Sequence, residues 1–377
     1  MNDLTSRFAT RQAHLTKALE QHDLDALVLN PGPTLVYLTG LHFHLMERPV
    51  TALFTPGKSP TLVLPELELA KLTSLPFTIQ AFSYSDDPAT WPAAFSKAVQ
   101  ASGIDGKKVG VEPTRMRLLE YRYLKQAAPE ARFLHADESL AQLRMRKDAG
   151  EIAAMRKAVD IAQKALLASL PFIRAGATEK QIAAKLTVQL LRAGSEPELA
   201  FAPIVSGGPN SANPHASPSD RPLQAGDLLV IDWGAIYDGY VSDLTRTFAI
   251  GPVEDEFAQI ARVVAQANTA GREAAGPEIA AEQVDQAARG VIERAGYGAY
   301  FTHRTGHGVG MEGHEPPYIR AGNTLPLLPG MTFTVEPGIY LPGRGGVRIE
   351  DNVVITADGA ECLSDLPRDL ISLPAGK

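Results

Sequence analysis

The chain has 377 residues, 45% hydrophobic and 21% charged, the balance of a globular protein with two or three domains, either half of which can bury a core. A formal net charge of −7 offers no basic field to nucleic acid or to an anionic membrane surface. A single cysteine, Cys362, excludes an intrachain disulfide framework and a thiolate metal cluster within one chain, and no Cys-His context marks it as a nucleophile. The start of the chain has no apolar core of signal-peptide type, and no later run of about 18 apolar residues exists. A soluble, cytoplasmic protein without nucleic-acid or membrane partners is therefore expected.

In chain order, Phe8, Leu15 and Leu19 give residues 5–21 helical spacing. Residues 25–30 read as a strand and Pro31-Gly32-Pro33 as a turn. Strands follow at 51–54 and 61–64, separated by Pro56-Gly57-Lys58, then a short helix over 66–73 and a strand over 77–84. A helix over 87–102 has Asp86 or Asp87 near its cap, and a strand over 107–112 comes next. Thr114 is expected to cap a helix over 114–127, before a strand over 131–135. Strands alternating with helices predict an α/β layer with a mixed, substantially parallel sheet. No Gly-rich phosphate loop is present.

The pattern changes near 137–146. A long amphipathic helix over 148–170 is closed by Pro171, and a second over 178–192 starts with the Thr178-x-x-Gln181 capping box and stops at Gly194. The boundary is expected within 140–147, giving domains 1–140 and 141–377. A strand over 201–206 precedes the polar loop 207–222 and a hairpin over 228–248. Helices over 254–275 and 280–295 follow, then Gly-rich loops and strands over 300–355. The order helices–hairpin–helices–hairpin duplicates an architecture without repeating a sequence.

The chemistry sits in the hairpins. The apolar run 228–231 reads as a buried strand and ends in Asp232; the strand over 240–248 contains Asp243. Asp238-Gly239 is a strong two-residue turn signal. With that turn, 232 faces 245 and lies diagonal to 243, and 243 and 245 share a face because side chains alternate. Two carboxylates on one apolar face repel unless protons or cations separate them, so a metal pair is the economical reading against two solvated strand acids. The second pair follows the same logic. A strand over 332–336 ends in Glu336, a strand over 346–355 carries Glu350, and a turn centred near 343 sets 336 opposite 350.

His307 lies among glycines, which are expected to let backbone approach a ligand. His314 follows seven residues later, and glycines argue against a helix there, so one histidine is expected to bind metal and the other to move protons. No HExxH pair exists. Four carboxylates and an imidazole suit two divalent ions, Mn²⁺ first, with Zn²⁺ or Co²⁺ tolerated. Ions ~3.5–4 Å apart are typical of hydrolases that activate a bridging water.

Asp232, Asp243, His307, Glu336 and Glu350 resemble the five metal ligands of the M24 metallopeptidases, the methionine aminopeptidase, aminopeptidase P and prolidase group. The resemblance runs from 140 to about 371, and the preceding domain is similar to the creatinase/prolidase N-terminal domain. It implies an α/β N-terminal domain followed by an α+β pita-bread catalytic domain, and the two-domain length favours the proline-directed branch. It also implies roles. Asp232 chelates one ion, Asp243 and Glu350 bridge both, and His307 and Glu336 complete the second, with Glu336 as proton shuttle. His215, in the loop from Ser206, contacts substrate and steadies the tetrahedral intermediate. His314 is the second catalytic histidine, Arg348 supports the ligands, and Tyr240 matches an aromatic position near the first pair.

The implied function is a dinuclear Xaa-Pro dipeptidase in which a bridging hydroxide attacks the bond before a C-terminal proline. Xaa-Pro aminopeptidase activity on longer peptides is the alternative, and a catalytically inactive binding protein of the same fold a distant one. The loop 42–49 carries Arg48, expected to cap the substrate carboxylate across a homodimer. His42, His44 and His303 are expected to be structural or peripheral.

Overall fold

In the computed structural model, residues 3–375 are described, and they fall into two units, Met1–Arg144 and Met145–Lys377. The first runs α1 (Asp3–Gln21), β1 (Ala26–Leu29), α2 (Pro33–Thr39), β2 (Thr51–Phe54), β3 (Thr61–Pro65), a 3₁₀ segment Glu66–Ser74, β4 (Gln80–Tyr84), α3 (Trp91–Ser102), β5 (Lys108–Val111), α4 (Leu118–Ala127), β6 (Arg132–His135) and α5 (Asp137–Arg144). The sheet order is β4-β3-β2-β1-β5-β6. It is mixed, because β1 pairs antiparallel to β2 and parallel to β5. Central β1 is buried at every position, which is why its sequence is an unbroken apolar run.

Two local readings differ from the structure. Residues 31–33 do turn, but Pro33 also starts α2: its fixed φ suits the first helical position, and Gly40 at φ 73 closes the helix. Thr114 caps nothing. Helix α4 begins at Leu118 after Arg117, with no side-chain cap. Asp87 does cap, accepting from Ala89 N at a 3₁₀ turn that leads into α3.

The second unit opens with α6 (Ala149–Ser169) and α7 (Glu179–Ala193), both started by capping boxes, Asp148 with Glu151 and Thr178 with Gln181. Next come β7 (Ile204–Gly207), β8 (Leu228–Trp233), β9 (Ile236–Tyr237), β10 (Tyr240–Val241) and β11 (Leu244–Ile250). Helices α8 (Asp255–Ala274) and α9 (Ala281–Arg294) precede β12 (Gly306–Gly308), β13 (Glu315–Ile319), β14 (Thr332–Val335), β15 (Gly338–Leu341), β16 (Gly345–Arg348), β17 (Asp351–Ile355), β18 (Ala360–Cys362) and β19 (Ile371–Leu373). Each half is a helix pair with a sheet: β19-β11-β8-β7 in one, β13-β12-β14-β17-β18 in the other. Leu166, Ile182 and Leu186 pack against Ile231 and Trp233 in the first half, and Ile260 and Val264 pack against Ile339 and Ile349 in the second. The sheets meet where Glu350 N donates to Thr245 O at 3.0 Å. No helix among the described residues is long and apolar enough to cross a membrane.

Candidate active site

Asp238 (φ 50) and Gly239 (φ 73) both adopt left-handed backbone, as a type I′ turn requires, and Tyr237 pairs with Tyr240 across them. The register carries through to Asp232 opposite Thr245, as the turn position predicts. The second strand is not continuous, however. It breaks at Ser242 and Asp243, between β10 and β11. There Asn352 takes over the pairing: Asp243 N donates to Asn352 Oδ1 at 3.0 Å, and Asn352 Nδ2 donates to Asp243 O at 2.7 Å.

The second hairpin is also interrupted at its acids. Gly338 pairs with Arg348, and Val335 with Asp351, both in the register that sets 336 opposite 350. Glu336 and Glu350 lie at the joint between those two pairings. Glu350 instead reaches the other sheet, where its Oε2 accepts from Thr245 Oγ1 at 2.7 Å.

His307 is the centre of β12. A Cβ at Gly306 would fall on the Thr334 carbonyl, and one at Gly308 on the Pro316 and Glu315 carbonyls. These glycines therefore admit neighbouring backbone rather than a ligand, which corrects the reading of this motif. The His307 Nδ1 lies 3.1 Å from Gly308 O, so it carries the hydrogen. Nε2 is left 3.2 Å from Glu336 Oε1 and 3.7 Å from Asp243 Oδ2. A lone pair facing carboxylates is an arrangement that a shared cation satisfies.

Ligand atoms gather within 4.8 Å in three overlapping groups: Asp232, Asp243 and Glu350; His307, Glu336 and Glu350; Asp243, His307 and His314. Burial, followed by the charges of Asp232 and Glu336, drives Asp243 well above the usual carboxylate range. Glu350 rises well above it too, through burial and then Asp243. Burial raises Asp232 against the pull of Arg348. Glu336 moves the other way: burial opposes its ionisation, but an imidazolium at His307, whose Nε2–H then donates to it, and the charges of His303 and Arg348 outweigh burial and bring it to about 2; a metal ion at Nε2 would take that proton's place. The Asp232 Oδ1 is buried with no hydrogen-bond partner among the described residues, while Oδ2 accepts from Arg348 Nη2 at 2.6 Å. Four acids thus share one guanidinium and one imidazole. A donor set of hard oxygens and nitrogen, short of positive charge and with an orphaned oxygen, fits divalent cations.

These groups line a cavity of about 750 Å³. Ala200, Phe201, Ile204 and Pro214 form its apolar wall, and His215, His303, Arg304 and His314 its polar one. Arg348 also bonds Thr245 Oγ1 at 3.1 Å and Pro214 O at 3.1 Å. The ring of His314 stands 3.9 Å from that of His307. Burial and then the charges of His307 and Arg304 lower His314 to about 4. Its Nδ1 lies 3.3 Å from Arg304 Nη2.

Two candidate substrate residues lie elsewhere. Tyr240 packs with Ala154, Met155 and Val309 and donates its hydroxyl to Glu151, so it supports the hairpin from behind and is not part of the cavity wall. Arg48 belongs to the first unit, where Nε bonds Asp86 Oδ1 at 2.6 Å and Nη1 bonds Glu47 Oε1 at 2.8 Å. Conversely, His303 lines the cavity although its spacing gave no sign of it. Its Nε2 is 2.9 Å from the Tyr340 hydroxyl, which is 3.0 Å from Arg348 Nη1. Across β15 and β16, Tyr340 pairs with Gly346 and Arg348 with Gly338, so the two side chains are diagonal neighbours.

Comparison with known proteins agrees with the geometry. Residues 153–357 match the model of metallopeptidase family M24, and residues 11–146 that of the creatinase/prolidase N-terminal domain. The chain is 40% identical over 375 residues to the probable dipeptidase PepE of Mycobacterium tuberculosis, covering 97% of each. It is 36% identical over 360 residues to the Xaa-Pro dipeptidase of Pyrococcus horikoshii, covering 94% of this chain and 96% of that one. The crystal structure of dipeptidase PepE from Mycobacterium ulcerans superposes with a TM-score of 0.90 at 39% identity, over 98% of this chain and 99% of that one.

Proposed function

The chain belongs to metallopeptidase family M24, with a creatinase-type N-terminal domain ahead of a pita-bread catalytic domain, and on that premise we propose that it is a cytoplasmic Xaa-Pro dipeptidase. Asp232, Asp243, His307, Glu336 and Glu350 would hold two divalent ions, Mn²⁺ first among them. The observation that carries this reading is the gathering of four carboxylates and an imidazole in one cavity, with the Asp232 Oδ1 left for a cation. Divalent ions, when bound, supply a Lewis acid and lower the pKa of a nucleophilic water.

The residues of the chain do the rest. Glu336 is ionised at neutral pH and is aligned by Thr334 Oγ1 at 3.3 Å and by its own N–H on Thr305 O at 2.7 Å, so it takes the proton of the attacking water and returns it to the proline nitrogen as the C–N bond breaks. His314 stays neutral. Arg304 donates to its Nδ1, which leaves the Nε2–H to donate to the oxyanion that develops on the scissile carbonyl. His215 faces the same cavity and shares that task. Arg348 holds Asp232 and the His215 loop in one geometry. Proline has no N–H, so a site that asks none of the leaving nitrogen suits the bond before it. The dipeptide's carboxylate would be capped by Arg48 of a second copy in a homodimer.

Hydrolysis of Ala-Pro and Ala-Pro-Ala, with added Mn²⁺ and after chelation, tests the reading. A dipeptidase cleaves Ala-Pro preferentially, loses activity with chelator and recovers it with Mn²⁺. Preference for Ala-Pro-Ala would make it an aminopeptidase, and no cleavage of either by metal-loaded protein would leave a binding protein.

A further inference from the structure

Glu179 opens α7, outside the acid cluster, and is completely buried. Its carboxylate is surrounded by donors. Oε1 accepts from Gly207 N at 2.7 Å and Asn210 Nδ2 at 3.0 Å; Oε2 accepts from Ser219 N at 2.8 Å and Ser219 Oγ at 2.6 Å. Gly207 and Asn210 precede His215 in the chain and Ser219 follows it. One carboxylate therefore ties together both ends of the loop that carries His215. The first amides of α7 join the same seam, Glu179 N donating to Arg221 O at 3.3 Å and Lys180 N to Ser219 O at 3.1 Å.

The His215 ring has no hydrogen bond of its own among the described residues. Only its backbone is held, by Asn213 Oδ1 at 3.1 Å and through Pro214 O on Arg348. The ring's place in the cavity is thus set by the path of the loop. A buried carboxylate is tolerated only when its donors close around it, so it favours the one loop path that brings Gly207, Asn210 and Ser219 together. We propose that Glu179 is a positioning residue for the hydrolysis, acting through His215. The proposal rests on the assignment of His215 to the oxyanion.

A double-mutant cycle on the metal-loaded, full-length enzyme tests it, with Ala-Pro as substrate. Glu179→Gln keeps the shape but turns an amide donor towards one set of donors. It is expected to lower kcat roughly tenfold to hundredfold, with KM changed far less. His215→Ala is expected to lower kcat as well, and the double variant to be no slower than His215→Ala alone, because the positioning has nothing left to position. Losses that multiply would show that Glu179 acts on the fold alone and overturn the proposal, as would Glu179→Gln at wild-type kcat. His215→Ala at wild-type kcat would overturn the role of His215 itself, a distinguishable failure. If Glu179→Gln does not fold, Ser219→Ala removes one bond to the carboxylate, with those the hydroxyl accepts from Asn210 Nδ2 at 3.3 Å and Arg221 N at 3.1 Å, while leaving the Ser219 N–H in place, and the same cycle is run with it.

Discussion

Asp243 is a carboxyl whose surroundings favour its proton until something positive arrives. Burial and its acidic neighbours hold its folded pKa well above the usual range, so the folded chain binds more protons than the unfolded one. Stability then falls as pH rises from the ordinary carboxylate range through the raised value. His303 and His314 push the other way below the ordinary histidine range, because their folded pKa values are lowered. Comparison with Asp243→Asn isolates the carboxyl. In chelator, Asp243→Asn is expected to melt above the parent protein by a margin that grows as pH rises above the ordinary carboxylate range. With Mn²⁺ present the order inverts, since the variant has lost a ligand. Thermal melts across pH, with and without metal, read both. A variant less stable than its parent in chelator at neutral pH would sink the account. The same conflict made these acids legible: a charge in an apolar strand contradicts its own surroundings unless it has a purpose. His303 broke no such rule, and neither did Tyr340, so their place in the cavity wall and on Arg348 was not readable.

The hairpins were readable because a two-residue turn fixes every pair outward from it. The Asp238-Gly239 turn set 232 against 245, and the turn near 343 set 336 against 350. The breaks at Asp243 and at the Glu336–Glu350 joint were not, because they depend on where two sheets separated in sequence meet. Gly306 belongs to the same problem. Its missing side chain allows β12 to lie against the Thr334 carbonyl, and that approach places His307 beside Glu336. Gly306→Ala is expected to cost about 1–3 kcal/mol as overpacking and to weaken metal binding. Gly343→Ala meets open space at φ 72 and is expected to cost about 1–2 kcal/mol, with metal binding retained. Denaturant unfolding and metal titration of the two variants separate clash from backbone strain; equal metal affinity in both would argue against a strand-positioning glycine. Lys147 makes a related element-scale case. It enters α6 with its Nζ 2.6 Å from Glu315 Oε1 at the start of β13, both side chains under 4% exposed. Lys147→Met removes the cation bonded to Glu315 Oε1 and is expected to cost about 3–5 kcal/mol in denaturant unfolding. Adding Glu315→Gln is expected to recover part of the loss, whereas purely additive losses would mean that the pair does not act as one.

At the scale of the whole molecule, strands alternating with helices announced the mixed six-stranded sheet, and helices alternating with hairpins the two halves of the second unit. What sequence could not give is how a second copy meets the first, because no periodicity encodes it. Arg48 is where that matters. Within its own unit it pairs with Asp86 and Glu47 at the surface, with a third of its side chain exposed. Exposed pairs of this kind are weak and screened by salt, so a substrate carboxylate competes for the guanidinium without a large penalty. If a dimer brings Arg48 to a partner's cavity, Arg48→Ala should raise KM for Ala-Pro on the order of tenfold, and leave Ala-Pro-Ala, whose carboxylate lies one residue further out, nearly unchanged. Asp86→Ala, which removes one of the two carboxylates that hold the guanidinium and leaves Glu47, should lower KM for Ala-Pro instead. Sedimentation at the assay concentration supplies the other half: specific activity on Ala-Pro should fall where the dimer dissociates, and the tripeptide activity should not follow it. Equal effects of Arg48→Ala on both peptides, or full Ala-Pro activity in a monomer, would leave selection of the dipeptide to groups within the catalytic unit, with Arg304 on the cavity wall the first cation to replace.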